Sequence, residues 1–257
     1  MTDSKSIYTL FSPAGLPGRG EFIRLCFVAT NTDYNQIHTT NLSALRAATD
    51  AVGTPPIFAL PALRINSAWP DSAPLLISQT ANILHFLGPR LKLVPESEYR
   101  RIWTHQLALT ALDLYDALSL VHQAVAADMW YAAQKAKSAA AEAKAAKDFR
   151  EKTLPRFFAH FEAVLVANEQ VGGGEYFVGK KRTYADVVVW QVLDVLFFAF
   201  ENQMEDLRGK PEYTLLFVTF YPTFKEEDRI KEYLREKKKP PSSKVYKYYP
   251  ELDLAKE

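Results

Sequence analysis

Residues 75–95 read LLISQTANILHFLGPRLKLVP, and the change of pattern inside that stretch decides the architecture. Leu75 to Ile77 is short, apolar and β-prone. Gln79 to Leu87 has helical spacing, and Gly88-Pro89 predicts its end, because glycine accepts the left-handed cap and proline cannot extend the ladder. Upstream, strand and helix signals alternate; beyond Pro95 nothing resembles a strand for a long way. The chain is therefore read as two parts: an α/β unit over 1–92 and an all-helical unit over 93–257.

Working upstream, PPIFALPALRI starts at Pro55-Pro56 and carries Pro61 between two apolar stretches. Asn41 to Ala51 fits a short helix or an ordered loop, and Asp33 to Ile37 fits a strand. At the start, Ile7 to Phe11 is β-prone and is broken by Pro13, Gly15, Pro17 and Gly18. Phe22, Ile23, Cys26 and Phe27 then recur on one helical face. The predicted order β-α-β-(α)-β-β-α describes a compact α/β unit.

Downstream, Tyr99 to Gln134 keeps helical periodicity. Ala136 to Lys147 (AKSAAAEAKAAK) is either a solvent-exposed helix, favoured by propensity, or a low-complexity linker. Phe149 to Val166 is amphipathic, and Gly172-Gly173-Gly174 breaks it. Thr183 to Asp186 reads T-x-x-D directly before VVVWQVL, a capping box with Asp in place of Glu that opens a buried helix. Arg182 stands where an apolar staple residue is usual.

The 257 residues are 48% hydrophobic and 24% charged, with 31 basic and 30 acidic side chains. So even a balance supplies no general field for nucleic acid or anionic lipid. One cysteine, Cys26, excludes an internal disulfide and fits a reducing, cytoplasmic setting. No secretory leader is visible at the start. The most apolar run, Val187 to Phe200, is short for a membrane span and is interrupted by Gln191 and Asp194. His38, His85, His105, His122 and His160 show no metal-ligand spacing, so no metal is expected.

Four passages together resemble the cytosolic glutathione transferase family, in a fungal or bacterial style. They are YTLFSPAGLPGRGEFIRL with its G-R-x-E-x-I-R helix start, Ala59-Leu60-Pro61 before a strand, Ser78-Gln79-Thr80-Ala81-Asn82-Ile83 at a helix start, and Phe177-Val178-Gly179 followed by Thr183-Tyr-Ala-Asp186. They occur in the family's order. The resemblance implies a thioredoxin-like N-terminal domain, a glutathione-transferase-type all-helical C-terminal domain, and a homodimer.

It also implies roles. A cis Pro61 turns the chain so that Leu60 offers its N–H and C=O to an extended peptide. Gln79 and Thr80, at a helix N-terminus, suit the carboxylate and amine of a γ-glutamyl group; a plain Ser78 N-cap is the alternative. Asn41 lies where a contact to the glycine end is often added, and Asp113 where a partner subunit's ammonium is met; a solvated carboxylate is the alternative. A thiol with a pKa near 8.5 needs help to ionise. Ser12 at the end of the first strand is the candidate, with Tyr8 as the alternative and a plain turn residue as a third reading. Arg19 either adds positive potential or forms an ion pair. Tyr115, Met129, Trp130 and Tyr131 are candidates for the apolar wall of a second-substrate pocket, and Cys26 reads as a core thiol.

The expected activity is conjugation of glutathione, the co-substrate, to a hydrophobic electrophile. A glutathione-dependent cis-trans isomerase of natural-product biosynthesis and a non-catalytic carrier or assembly module are the competing readings.

Overall fold

The computed structural model describes residues 6–15, 17–47, 55–66, 74–122, 143–236, 246 and 248–255. They group into two compact units, 1–93 with 228–245, and 94–227 with 246–257.

In the first unit, β1 (Tyr8–Ser12) leads to α1 (Gly20–Thr30), then β2 (Tyr34–His38), α2 (Leu42–Ala47), β3 (Ala62–Ile65), β4 (Leu75–Ser78) and α3 (Thr80–Arg90). The sheet order is β2-β1-β3-β4. β1 and β2 are parallel, whereas β1–β3 and β3–β4 are antiparallel. This is a thioredoxin-like mixed sheet. Alternation along β1 divides its side chains between two faces. Phe11 packs with Leu45, Ile57, Ala62 and Leu76 on one; Tyr8, on the other, meets Phe27 of α1.

α3 runs through Gly88-Pro89 to Arg90, three residues past the predicted last residue Leu87. Proline removes one ladder bond, but Leu91 N–H still donates to Leu87 C=O at 2.8 Å and Leu93 N–H to Gly88 C=O at 2.8 Å. The turn is closed by Lys92, at φ +57°.

A further helix, Asp228–Arg235, belongs to this unit and not to the helical one. Its Ile230 and Tyr233 are buried. Tyr233 Oη donates to Glu21 Oε1 at 3.0 Å, and Arg24 Nε donates to Glu21 Oε2 at 2.7 Å. Arg24 also donates to Pro17 C=O at 2.7 Å. Burial, then the Glu21 carboxylate, push the Tyr233 phenol far above its ordinary range, so it stays a donor. Tyr233→Phe is expected to cost about 1–3 kcal/mol, because a fully buried carboxylate loses a donor. A urea titration followed by circular dichroism reads this.

The helical unit contains α4 (Glu98–Val121), a π-helical segment Phe149–Thr153 continuing into α5 (Leu154–Gln170), α6 (Tyr184–Ala199), α7 (Glu201–Arg208), then a 3-10 turn Pro211–Tyr213, a second π-helical segment Leu215–Phe220 and α8 (Tyr221–Glu226). The helix that returns to the first unit is α9 (Asp228–Arg235). Of the Ala/Lys/Glu stretch, residues 143–147 are helical, and the rest lies outside the described residues. α6 is the buried helix that the apolar run implied, with Trp190 fully enclosed.

The capping box forms at its start. Asp186 Oδ2 accepts from Thr183 N–H at 2.6 Å and from the Thr183 hydroxyl at 2.7 Å; Oδ1 accepts from Phe177 N–H at 2.9 Å. At the staple position, Arg182 pairs with Glu227 and lies over the Phe224 ring, so an ion pair occupies the place of an apolar contact. Among the described residues no helix is long and apolar enough to cross a membrane.

Candidate functional site

Three strand ends build the site. Phe11 pairs with Ala62, and Ala62 with Ser78. This register aligns Ser12, the Leu60–Pro61 bond and Gln79-Thr80 along one edge of the sheet. The Leu60–Pro61 peptide is cis. Leu60 is partly buried against the Phe11–Leu45–Ile57 cluster, which fixes its position.

Gln79, not Ser78, is the N-cap of α3, and it makes no side-chain cap bond. Its φ of +68° and ψ of 118° are unusual for a side chain of this kind. Thr80 is 2% exposed, and its hydroxyl has no hydrogen-bond partner among the described residues. The ladder of α3 begins with Ile83 N–H donating to Gln79 C=O at 2.9 Å. The amides of Thr80, Ala81 and Asn82 precede it and have no intrahelical acceptor. Stranded amides, a buried hydroxyl without a partner and the positive end of a helix dipole form a receptor for a carboxylate.

Ser12 lies at the same edge but is 1% exposed. Its Oγ accepts from Arg24 Nη1 at 3.2 Å and Gln36 Nε2 at 3.1 Å. Among the described residues its own proton has only Pro13 C=O, at 3.5 Å. Tyr8 sits four residues back, roughly 13 Å away along the strand. Burial raises the pKa of its phenol, with Arg90 opposing. Arg19, half-buried, is the N-cap residue of α1. Asn41 precedes α2; its N–H donates to Thr39 Oγ1 at 3.0 Å, and Thr39 N–H donates to Ser12 C=O at 3.0 Å. Asn41 therefore flanks the same edge.

The remaining candidates belong to the helical unit. Asp113 is exposed on α4. Tyr115 is buried, with its ring edge-on to Tyr246 at 5.6 Å. Met129, Trp130 and Tyr131 lie outside the described residues. Among the described residues no group of three or more His, Cys, Asp or Glu side chains is placed to hold a metal. Cys26 is buried in α1.

Sequence reading missed the polar set behind Ser12: Glu21, Arg24, Gln36 and Tyr233. Glu21 and Arg24 stand at i,i+3 within the G-R-x-E-x-I-R passage, the one local signal available.

Residues 121–237 match the family model described as glutathione S-transferase, C-terminal domain. The chain is similar to the Pi-class glutathione S-transferase of Onchocerca volvulus, at TM-score 0.66 and 20% identity over 90% of this chain and 94% of that one. It is similar to the sigma-class enzyme of Fasciola hepatica, at TM-score 0.65 and 18% identity over 91% and 97%. The fold is that of the glutathione S-transferases. Prostaglandin synthase D of Nilaparvata lugens shares this fold, at TM-score 0.63 and 16% identity over 89% and 97%. No curated protein matches the sequence. In the glutathione S-transferase fold, the sheet edge just described lies on the thioredoxin-like unit, and the matched model lies on the helices.

Proposed function

We propose that the protein binds glutathione on its α/β unit and adds the thiolate to a hydrophobic electrophile. The observation that carries the reading is the Thr80 hydroxyl, buried without a partner among the described residues, beside helix amides that have no intrahelical acceptor and a cis Leu60–Pro61 bond. Such a group costs stability unless a ligand answers it. The γ-glutamyl end would meet Gln79 and Thr80, the peptide backbone would pair with Leu60, and Asn41 would reach the glycine end. Retention on immobilised glutathione tests this; passage of the folded protein straight through the column defeats it.

For the thiol, Ser12 is the better placed of the two candidates. Arg24 and Gln36 occupy its acceptor sites, which leaves its proton to give. Ser12 is covered, so a sulfur reaches that proton only when its cover is displaced. Ser12→Ala is expected to raise the pKa of bound glutathione and lower kcat by about ten- to hundredfold, the worth of one donor to a developing charge. An absorbance titration of the bound thiolate reads the first effect; an unchanged pKa removes Ser12 from the role. Arg19 would add positive potential near the same edge.

The second reading is a glutathione-dependent cis-trans isomerase. There the thiolate adds to an activated double bond, the adduct rotates about the resulting single bond, and the thiolate leaves, so glutathione is regenerated. Product mass separates the two: conjugation adds glutathione and isomerisation leaves the mass unchanged. The isomerase reading goes with the fungal or bacterial style of the first passage and a place in natural-product chemistry.

A homodimer is proposed through α4, where Tyr99, Ile102 and Trp103 are exposed at helical spacing. Asp113 on that helix would then meet the partner's γ-glutamyl ammonium. Tyr115, Met129, Trp130 and Tyr131 are proposed for the apolar wall of the electrophile's pocket. A reducing cytoplasm fits a thiol co-substrate.

A further inference from the structure

The first unit contains a cavity of about 480 Å³ that the peptide site does not use. Neither Leu60, Pro61, Gln79 nor Thr80 lines it. It lies at the β2 edge of the sheet, whereas the peptide groups flank β3 and β4, on the other side of β1. Three elements each turn one face toward it. α1 gives Arg24, Phe27 and Val28 at helical spacing, β2 gives Tyr34, Gln36 and His38 at strand spacing, and α9 gives Arg229, Glu232 and Tyr233.

The lining specifies a chemistry. Phe27 and Tyr34 stack at 4.8 Å with 19° between their planes, and Val28 lies beside Phe27, so part of the lining is apolar and aromatic. Gln36 donates its amide N–H to Leu10 C=O at 3.0 Å and to Ser12 Oγ. Its Oε1 is buried and has no partner among the described residues. Beside Asn31, Thr32, Asp33 and His38 in the lining, Gln36 Oε1 is an acceptor that still lacks a donor among the described residues. The formal charges of the lining cancel, Arg24 and Arg229 against Asp33 and Glu232, and Arg24 is also held by Glu21 at 2.7 Å. A charged ligand gains nothing there. The volume falls in the range of about 300–1,000 Å³ usual for small-molecule pockets.

We propose that this cavity is a second small-molecule site, and that it takes a neutral two-ring aromatic alcohol whose hydroxyl donates to Gln36 Oε1. The site is independent of the glutathione reading. It shares Arg24 and Gln36 with the Ser12 hydroxyl, so a ligand here sits against the two donors that hold Ser12.

The test uses 2-naphthol and naphthalene in calorimetric titrations of the full chain. 2-Naphthol binds, and naphthalene binds about tenfold more weakly because it offers no hydroxyl to Gln36 Oε1. Saturating S-hexylglutathione leaves 2-naphthol binding unchanged. Val28→Trp, which fills the cavity, abolishes 2-naphthol binding and keeps retention on glutathione. Absence of 2-naphthol binding, equal affinity for naphthalene, displacement by S-hexylglutathione, or undiminished binding by Val28→Trp overturns the proposal. The first three outcomes need no variant, so the proposal remains testable if Val28→Trp does not fold. Glutathione retention is scored separately, so failure of one site is distinguishable from failure of the other.

Discussion

Replacing Asp186 by alanine is expected to lower the unfolding free energy by about 3–5 kcal/mol, from a lost helix cap plus stranded buried donors. The carboxylate is fully enclosed. It accepts from Thr183 N–H, the Thr183 hydroxyl and Phe177 N–H, all within 2.9 Å. Alanine leaves these three without an acceptor at the entrance to α6, the most deeply buried helix of its unit. With total stabilities of about 5–15 kcal/mol, the loss approaches the whole margin, and little folded protein is expected at 37 °C. Asp186→Asn keeps the shape and one acceptor and is expected to lose about half as much. The pH dependence has a defined sign. Burial pushes the Asp186 carboxyl above the ordinary aspartate range, against the pull of the Phe177 and Thr183 donors. A folded pKa raised above the unfolded one gives stability that is complete below the unfolded value and is lost as pH rises through the folded value. The stability gap between wild type and Asp186→Asn is thus expected to narrow from acid to neutral pH. Urea midpoints at several pH values measure it.

Thr80→Val should have the opposite profile. Valine matches threonine in shape and removes a hydroxyl that is buried without a partner among the described residues. Stability is expected to hold or rise slightly, since an unsatisfied polar group disappears. Affinity for glutathione is expected to fall by about ten- to hundredfold, the usual effect of deleting a buried hydrogen bond to a charged ligand group. A purely structural threonine gives another pattern: stability changes and affinity does not. Thermal melts and calorimetric titrations on the same preparation separate the two.

The features that proved legible in the sequence are local ones. The T-x-x-D box at Thr183 needs only its own four residues, and the alternation of strands and helices before Pro95 comes from periodicities of two and 3.6. Pro61 was singled out by its neighbours, and its cis bond is present. What could not be read depends on distant partners. The return of α9 to the first unit rests on Tyr233 finding Glu21, 212 residues away in sequence. The covering of Ser12 rests on Gln36 reaching across from β2, which no spacing within β1 reveals. α3 overran Gly88-Pro89 because a single missing amide in a last turn is affordable when Leu91 and Leu93 still find acceptors. The cavity beside Gln36 follows from a strand, a helix and α9 meeting without filling the space between them, a matter of packing and not of pattern.

The central claim is that Leu60, Gln79 and Thr80 hold glutathione, and a crystal structure of the protein grown with saturating glutathione tests it most directly. The predicted result places the γ-glutamyl carboxylate within hydrogen-bond reach of Thr80 Oγ1 and the first amides of α3, and pairs the peptide backbone with Leu60. Glutathione bound elsewhere, or a Thr80 hydroxyl still without a partner at saturation, would contradict it.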